Sequence, residues 1–534
     1  MLKDKKKRLD RVLKRKEAKK RLLKFKEIRK EKRKKEKWKR YPSLGVVDNK
    51  TQPIKKLSTI EKLKSKLGQD IFKRYKKTTI DGLQITFLGA TRTVTGSKYL
   101  LESGNSKVLI DSGLFQGIKE LRLRNWDSFP INPKHLDAII LTHAHLDHVG
   151  YIPLLTKNGF KGKIYCTHST KDLSKLIIPD SGFLQEEEAR YAAKKGYSKH
   201  FNPKPLYTQK DALNSLRNFY TTDFYKEVKI DDEFSFSFTK AGHILGASSV
   251  LVNSKSGKKI LFSGDLGRTD SPIVTKPDKC PQADYILIES TYGNRIHTQD
   301  DAKGFLENVI NKTSMKGGKI IVPAFAVGRT QKILYYINEL KKEHRIPNIP
   351  IFLDSPMSIK VTSLVEDYVK EGKLTREAYK SLYGDVKFCV TRVQSKKILD
   401  FKGPCIIISA SGMAAGGRVL HHIANFAPNP DTTIILVGYQ AEGTRGRDLQ
   451  DGKKDIKIHG QVIPVRCTVV NMGGMSDHGD QNELLDWLKA MPSPPKKLFV
   501  VHGEEEQSKI FVDKVHETMG WNAVVPEYLE TVKI

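Results

Sequence analysis

The sequence THAHLDH at residues 142–148 follows a short apolar run that is typical of a buried β-strand. It places four candidate metal ligands within six residues, in the pattern HxHxDH. Side chains two residues apart at the end of a strand point the same way, so His143 and His145 can bind one cation together. Asp147 and His148 lie further along and can face a second cation. Imidazole and carboxylate groups are suitable zinc ligands, so this stretch predicts a metal site at a strand end.

Two further candidate ligands also follow predicted strands. His243 lies in AGHILG at residues 241–246, and Asp265 lies in SGD at residues 263–265. A glycine beside each of them allows close approach of the backbone. Taken alone, Asp265 fits an ordinary turn, because SGD is also a turn signal. Beside the histidine cluster, it is a natural carboxylate to bridge two metal ions.

The motifs HxHxDH, GHxLG and SGD, in this order, resemble the metallo-β-lactamase fold. Three later motifs are similar to motifs A, B and C of the β-CASP nucleases: Glu289 in IESTYG (288–293), His478 in SDHGD (476–480) and His502 in VHGE (501–504). The similarity runs from about Leu83 to Leu529. It implies an α/β fold class, with an αββα sandwich that has a binuclear zinc site at one edge of its sheets and an inserted α/β β-CASP domain of mostly parallel sheet.

The predicted domains follow from this resemblance and from a change of pattern along the chain. From about residue 300, helices and strands alternate, which is typical of βαβ units and a parallel sheet. We therefore expect four segments: a basic N-terminal extension (1–80), the first part of the metallo-β-lactamase domain (81–295), the β-CASP domain (296–455) and the second part of the metallo-β-lactamase domain (456–534). The resemblance places the active site in a cleft between the two domains.

The resemblance also implies how the metal ions are held. Two Zn²⁺ ions take three side chains each and share one bridging carboxylate: His143, His145 and His243; Asp147, His148 and His502; and Asp265. Two cations ~3.5–4 Å apart can hold a hydroxide between them and clamp phosphate oxygens. Coordination lowers the pKa of water toward ~7, which makes hydroxide available at neutral pH.

Three more residues receive roles by the same resemblance. His478 is the candidate general acid for the leaving 3′-oxygen, and Glu289 orients it. We count both as catalytic together with Asp147 and Asp265. Asp111 is similar to a carboxylate that steadies a ligand histidine, although it also fits a plain turn before a Ser-Gly pair.

Glycine- and arginine-rich loops of the inserted domain are candidates for RNA contact. Ser411, Gly412 and Arg418 lie in SASGMAAGGR at residues 409–418, after a predicted strand. Backbone N–H groups of such a turn can cradle phosphate, with the arginine as a charged partner. The loop is similar to the family's phosphate-binding loop.

Two weaker candidates complete the set. Gly443, Arg445 and Gly446 lie in GTRG, which matches the GxxG that clamps nucleotide backbones in KH-type modules. This motif is short and fits a structural turn equally well. Arg329 lies at a predicted helix N-terminus near the cleft, where it is either a phosphate contact or a structural residue.

Charge sets the N-terminal extension apart from the rest of the chain. The 534 residues carry a net charge of +34, and residues 1–80 contribute +24 of it, from 33 Lys and Arg against 9 Asp and Glu. We expect a largely helical or disordered basic arm that orders on a polyanion such as RNA or the ribosome. A solubilising tail is the alternative.

The remaining composition limits where the protein works. No window approaches 18 consecutive apolar residues, and the basic N-terminus lacks the apolar region of a secretory signal, so no membrane association is expected. The five cysteines are scattered and never spaced as CxxC, which fits a reducing cytoplasm.

The expected function is a zinc-dependent ribonuclease that hydrolyses single-stranded RNA, in RNA processing or decay. His502 at motif C resembles the RNA-processing members, because DNA-repair members generally carry an apolar residue there. The SxSGM loop resembles endonucleolytic relatives more than 5′-exonucleolytic ones. The alternatives are a 5′-exoribonuclease of the same family, a DNA nuclease, another hydrolase on this fold and a non-catalytic RNA-binding scaffold. Since dimerisation is common in the family, a homodimer is also expected.

Overall fold

The structure is a computed structural model that describes residues 79–195, 202–297 and 301–534. Every element below belongs to the unit Arg74–Ile534. The prediction of a helical or disordered arm that binds polyanions falls on residues outside the described ones, apart from 79 and 80, and stays a prediction.

The described residues form two seven-stranded sheets, one six-stranded inserted sheet and a two-stranded hairpin. In chain order the strands are β1 (Ile80–Phe87), β2 (Tyr99–Gly104), β3 (Ser106–Ile110), β4 (Ala138–Ile140), β5 (Lys163–Cys166), β6 (Phe219–Thr221), β7 (Val228–Lys229), β8 (Phe234–Lys240), β9 (Ser248–Ser254), β10 (Lys259–Phe262), β11 (Tyr285–Glu289), β12 (Lys319–Pro323), β13 (Ile351–Leu353), β14 (Val386–Phe388), β15 (Cys405–Ser409), β16 (Thr433–Val437), β17 (Asp455–Ile458), β18 (Gln461–Pro464), β19 (Thr468–Met472), β20 (Lys497–Val501), β21 (Ala523–Val524) and β22 (Thr531–Lys533).

The α-helices cover the faces of these sheets. In chain order they are α1 (Lys119–Arg124), α2 (Leu146–Val149), α3 (Ile152–Lys157), α4 (His168–Lys195), α5 (Gln209–Ser215), α6 (Ala302–Met315), α7 (Arg329–Lys342), α8 (Pro356–Val365), α9 (Arg376–Leu382), α10 (Arg392–Leu399), α11 (Val419–Phe426), α12 (Arg445–Gln450), α13 (Gln481–Lys489) and α14 (Glu505–Met519). Short 3₁₀ helices lie at Pro133–His135, Leu216–Asn218, Glu366–Glu371 and Gly473–Met475. Among the described residues, no helix is both long and apolar enough to cross a membrane.

Two seven-stranded sheets face each other. Their strand orders are β22-β1-β2-β3-β4-β5-β6 and β21-β20-β11-β10-β9-β8-β7. Fully buried side chains of both sheets, such as Ile85 and Val108 of the first and Phe236 and Val250 of the second, form one core between them. Helices α3 and α5 pack outside the first sheet, and α13 and α14 pack outside the second. The αββα sandwich is confirmed.

The third sheet has six strands in the order β14-β13-β15-β12-β16-β19, and all its neighbours are parallel. Parallel strands buried on both faces are apolar throughout, as in β15, whose five residues are all buried. The expectation of a mostly parallel inserted sheet is confirmed. Its last strand, β19, lies beyond the predicted boundary at residue 455, with the hairpin β17–β18 before it.

Apolar contacts join the third sheet to the sandwich. One continuous buried cluster includes Ile244 and Leu266 of the sandwich. It also includes Val327, just before α7, and Ile333 within α7. Helix α4 adds polar contacts, because Tyr368 donates a hydrogen bond to Asp172 at 2.6 Å. The third sheet therefore sits firmly over one edge of the sandwich.

Candidate metal centre

The candidate ligands lie at the carboxyl ends of strands. His143 follows β4, Asp265 follows β10 and His502 follows β20. Strands β10, β11 and β20 are parallel neighbours, and the carboxyl ends of parallel strands lie at the same edge of a sheet. The fold therefore brings together residues that are hundreds of positions apart.

The first group of ligands consists of His143, His145 and His243. His145 Nδ1 lies 3.1 Å from His143 Nε2 and 3.2 Å from His243 Nε2. Asp265 Oδ2 lies 3.4 Å from His143 Nε2 and 3.6 Å from His243 Nε2. Two nitrogen ligands at ~2.0–2.1 Å from a tetrahedral zinc ion are ~3.3 Å apart, so the spacing of this group fits one zinc ion.

The second group consists of Asp147, His148 and His502. His148 Nε2 lies 3.3 Å from His502 Nε2, and His502 Nε2 lies 3.6 Å from Asp147 Oδ2. The other oxygen of Asp265, Oδ1, lies 3.2 Å from His148 Nε2. Because Asp265 offers one oxygen to each group, it is placed to bridge two ions.

Hydrogen bonds to the protein decide which nitrogen the buried histidines present. His148 Nδ1 donates to Asp111 Oδ2 at 2.7 Å. Thr142 Oγ1 donates to the same oxygen at 2.8 Å, and it therefore accepts from His143 Nδ1 at 3.1 Å. Both histidines are left with Nε2 facing the cluster. Asp111 thus lies where the sequence predicted it, beside ligand histidines.

Hydrogen bonds to the protein also orient His243 and His502. His243 Nδ1 donates to the carbonyl oxygen of Asp477 at 3.1 Å. Thr291 Oγ1 donates to the carbonyl oxygen of His502 and accepts from its Nδ1, both at 3.1 Å. His145 instead presents Nδ1, and its buried Nε2 has no hydrogen-bond partner in the described part of the chain. The donor atoms point at one another around a shared centre, as a metal site requires.

The protonation states of these groups also suit a metal. Burial lowers the pKa of His145 to about 4, and burial together with the charge of His148 lowers the pKa of His143 well below its usual range. Both are neutral at pH 7, which is the form that binds metal. Burial lowers the pKa of His148 too, but Asp265 and Asp111 outweigh it and raise the pKa well above its usual range. A bound cation would replace that proton.

His478 lies beside the first group, with Nε2 4.0 Å from Asp265 Oδ2. Its Nδ1 lies 2.9 and 3.0 Å from the two carboxylate oxygens of buried Glu289. Burial lowers the pKa of His478, but the charge of Glu289 and this hydrogen bond outweigh it and raise the pKa to about 9. His478 therefore carries a proton at neutral pH, as a general acid must before the reaction.

Three family models match the chain in succession. They are the metallo-beta-lactamase superfamily at residues 92–298, the Beta-Casp domain at 330–449 and the Zn-dependent metallo-hydrolase RNA specificity domain at 462–526. Ribonuclease TTHA0252 of Thermus thermophilus is 35% identical over 80% of this chain and 94% of its own length. This chain belongs to the β-CASP ribonuclease family of the metallo-β-lactamase superfamily.

Two archaeal relatives extend this β-CASP comparison. An RNase J-like protein of Methanocaldococcus jannaschii is 33% identical over 83% of this chain and 97% of its own length. Transcription termination factor FttA of the same organism is 31% identical over 85% of this chain and 72% of its own length. Membership makes the β-CASP protein a metal-dependent hydrolase, and the resemblance recognised in the sequence is confirmed.

The loop 409–418 of this β-CASP protein reaches the metal centre through one aromatic ring. A Cβ atom on Gly412 would lie 2.6 Å from the ring of Phe325, whose centroid is 6.2 Å from that of His145. Ser411 Oγ accepts from the backbone N–H groups of Ala415 and Gly416 at 2.9 and 3.4 Å. The structure thus brings Gly412 close to the site, and Ser411 bonds within its own loop. Their role in RNA binding stays a prediction.

Arg418 points away from that loop and into the protein. Its Nη1 donates to Asp354 Oδ1 at 2.7 Å and to the carbonyl oxygen of Cys389 at 2.8 Å. Its Nη2 donates to the carbonyl oxygen of Val390 at 2.8 Å. Asp354 is completely buried and also accepts from His422 Nε2 at 2.7 Å. These contacts give Arg418 a structural role, and the predicted phosphate contact stays a prediction.

Close packing accounts for the two glycines of the GTRG loop. A Cβ atom on Gly446 would lie 1.8 Å from Gln440 Oε1, and one on Gly443 would lie 2.9 Å from Ile118 Cα. Arg445 donates to the carbonyl oxygens of residues 457 and 415 at 2.7 and 3.1 Å. The loop therefore braces the neighbouring loop 409–418, and a direct clamp on nucleotides stays a prediction.

Arg329 does begin a helix near the cleft, as expected, but it is buried, with 5% exposed. Its Nη1 donates to the carbonyl oxygen of Val437 at 2.6 Å. The burial disfavours the predicted phosphate contact. Sequence reasoning missed its neighbours in this network, Lys332 and Asp477. The signals that could have found them are the position of Lys332 one helical turn after Arg329, and the position of Asp477 directly before His478.

Proposed function

We propose that this protein is a zinc-dependent ribonuclease that hydrolyses phosphodiester bonds of single-stranded RNA, by an endonucleolytic mode. The observation that carries the proposal is the pair of ligand groups that share Asp265. The match to an RNA specificity domain and the ribonuclease among the relatives support RNA as the substrate.

Two Zn²⁺ ions fit the donor atoms present. One would be held by the first group, the other by the second, with Asp265 between them. When bound, two such ions polarise phosphate oxygens and provide an activated water at neutral pH. The convergence of the imidazole nitrogens, and of the two Asp265 oxygens onto both groups, supports this assignment.

The protein's own groups then perform the proton transfer. His478 holds a proton on the nitrogen that faces the metal centre, and it donates that proton to the leaving 3′-oxygen. Glu289 keeps the imidazolium charged and fixes the ring through Nδ1. Asp111 and Thr142 hold ligand histidines in the orientation that a metal ion needs.

The test is to incubate the purified full chain with end-labelled single-stranded RNA and DNA of the same sequence. RNA-selective internal cuts that disappear with a chelator and return with Zn²⁺ are the expected result. A matched variant, Asp265→Asn, should lose both cutting and bound zinc. The control is Asp223→Asn, whose side chain is 74% exposed and which should behave like the original protein.

The mode is tested by the 5′ end of the RNA. An endonuclease cuts substrates with a 5′-monophosphate and a 5′-hydroxyl equally well at the same internal positions. A ladder that starts only at a 5′-monophosphate would replace the endonucleolytic mode by a 5′-exonucleolytic one. Equal cleavage of DNA, or binding of RNA without any cleavage in Zn²⁺, would overturn the proposal. The predicted homodimer, the cytoplasmic location and the binding of RNA or ribosomes by the arm stay predictions.

A further inference from the structure

The carboxylate of Asp477 is held by two cations from another part of the chain. Lys332 Nζ lies 2.8 Å from Asp477 Oδ1, and Arg329 Nε lies 3.8 Å from Asp477 Oδ2. All three side chains are buried, with 8% exposed at most. Both cations belong to the first turn of α7, Lys332 within the Beta-Casp match and Arg329 directly before it, whereas Asp477 lies within the RNA specificity match.

The backbone is shaped around this contact. Gly328 has φ 77°, and a Cβ atom on it would lie 3.2 Å from Asp477 Oδ2. Gly438 has φ 71°, and a Cβ atom on it would lie 3.0 Å from the guanidinium of Arg329. A side chain at either position would be strained by its φ and crowded by the ion pairs, so both glycines allow the charged groups to approach.

The other side of Asp477 touches the metal centre. Its carbonyl oxygen accepts from His243 Nδ1 at 3.1 Å, which leaves His243 Nε2 for the metal. Ser476 Oγ accepts from the backbone N–H of His478 at 3.2 Å, and Ser476 O accepts from Lys332 Nζ at 3.4 Å. The loop 476–478 therefore connects α7 both to a metal ligand and to the candidate general acid.

We propose that Lys332, assisted by Arg329, is a positioning residue that fixes the loop 476–478 through Asp477. The contact orients the imidazole of His243 toward the metal and sets the place of His478 over the scissile bond. The placement of His478 over the scissile bond rests on the proposed function. The orientation of His243 concerns metal binding alone.

The third sheet and the sandwich are held together without the buried contact between Lys332 and Asp477. The apolar cluster with Ile244, Leu266 and Val327 already joins them, and buried ion pairs are poor sources of stability compared with apolar contacts. A directional charged contact does fix one geometry, since each hydrogen bond to the carboxylate has a preferred angle and distance. That is what a loop between a metal ligand and a general acid requires.

The experiment uses the full-length zinc-loaded protein with Lys332→Met, Lys332→Arg and Lys319→Met. Lys319 is the matched control, because it is also buried in the third sheet and donates to carbonyl oxygens of residues 401 and 403, away from the metal ligands. Zinc affinity is measured by competition with a chromophoric chelator, and kcat and KM are measured on single-stranded RNA. Tm is recorded for every variant.

Lys332→Met should weaken zinc affinity ~10–100-fold and lower kcat by a similar factor with KM little changed, as expected for a partner of a ligand histidine. Lys332→Arg should recover most of both losses. Lys319→Met should lower Tm and leave zinc affinity and kcat unchanged. The double variant Lys332→Met with Asp477→Asn, which removes the unpaired buried charge, should regain Tm without regaining zinc affinity.

The proposal is overturned if Lys332→Met lowers only Tm, like the control, or if the double variant regains full zinc affinity. Its failure is distinct from failure of the proposed function. If the original protein cuts no RNA but Lys332→Met still weakens zinc binding, the ribonuclease proposal falls and the positioning of His243 stands. If the original protein cuts RNA and Lys332→Met matches the control, only the positioning role falls.

Discussion

The metal centre and the arginine-bearing loops of the third sheet were both predicted from motifs, yet they differ in whether their polar side-chain atoms find partners within the protein. At the metal centre, the nitrogens of His143, His145 and His243 converge to 3.1–3.2 Å, and the two oxygens of Asp265 lie 3.2–3.6 Å from histidine nitrogens of both groups. In the loops, Arg418 and Arg445 direct their donors to carbonyl and carboxylate oxygens of the protein itself.

The contrast separates groups that await a ligand from groups that build a scaffold. A buried polar atom without a partner is costly, so atoms that converge without satisfying one another indicate that something else completes them. An arginine whose donors already have good internal acceptors needs no further partner. Changes at the metal centre should therefore affect chemistry more than stability, and changes at the arginines should do the reverse.

The largest effect is expected at the metal-centre side of this comparison. His478→Ala removes the proposed proton donor, so kcat on RNA should fall ~10²–10⁴-fold. Zinc content should change little, whereas Tm should fall, because the buried carboxylate of Glu289 loses its charged partner and keeps only the backbone N–H donors of Leu266 and Thr291. Single-turnover cleavage and metal analysis on the same preparation make the measurement.

His168→Ala is the control for this variant, since that imidazole is 52% exposed and paired only with exposed Asp223. It should leave kcat unchanged. A loss of less than about threefold in His478→Ala would remove the general-acid role and leave the ligand groups as they are.

The second prediction tests the scaffold side. Arg418→Met leaves the fully buried carboxylate of Asp354 without its arginine, so the free energy of unfolding should fall by about 3–5 kcal/mol. RNA affinity of the folded protein, and the slope of log affinity against log salt, should stay unchanged. Urea unfolding and RNA titrations at several salt concentrations measure the two quantities.

Arg392→Met is the matched control, because this exposed arginine pairs with Glu187 at 3.4 Å and should contribute less than about 1 kcal/mol. The comparison would be reversed by an Arg418→Met protein of normal stability whose salt slope has fallen by about one unit. That result would identify Arg418 as a phosphate contact.

The candidate metal ligands could be proposed from sequence because residue type and strand position are both local. His143 and His145 follow a strand of the first sheet, and Asp265 follows a strand of the facing sheet. These strand-end positions are visible in the sequence, whereas their closeness in space was implied by the resemblance. The αββα architecture was implied by the resemblance to the metallo-β-lactamase fold, and the parallel inserted sheet was predicted by the alternation of helices and strands from about residue 300.

The internal partners could not be predicted in this way. The contact of Lys332 with Asp477 depends on how the first turn of a helix meets a loop 145 positions later in the chain, and no periodicity encodes that. The same holds for Arg418, whose acceptor Asp354 lies 64 positions earlier. An arginine next to glycines looks the same in sequence whether its donors face phosphate or a buried carboxylate.

The smallest expected effects on stability are those of alanine substitutions at Gly446 and Gly416, which lie in neighbouring loops. Gly446→Ala would place a Cβ atom 1.8 Å from the oxygen of buried Gln440, so the free energy of unfolding should fall by about 1–3 kcal/mol. Gly416→Ala meets no atom within 4 Å and needs no positive φ, so its stability should change by less than about 0.5 kcal/mol. Urea unfolding of both variants makes this measurement.

RNA binding then decides what the loop 409–418 does. If RNA backbone approaches this loop closely, the added methyl group of Gly416→Ala should weaken RNA affinity severalfold while stability stays normal, because the space beside Gly416 would be filled by the ligand alone. Unchanged affinity in Gly416→Ala would remove this part of the loop from the RNA path. Gly412, which lies beside Phe325 and through it near the metal centre, would then be the predicted contact of that loop nearest the site.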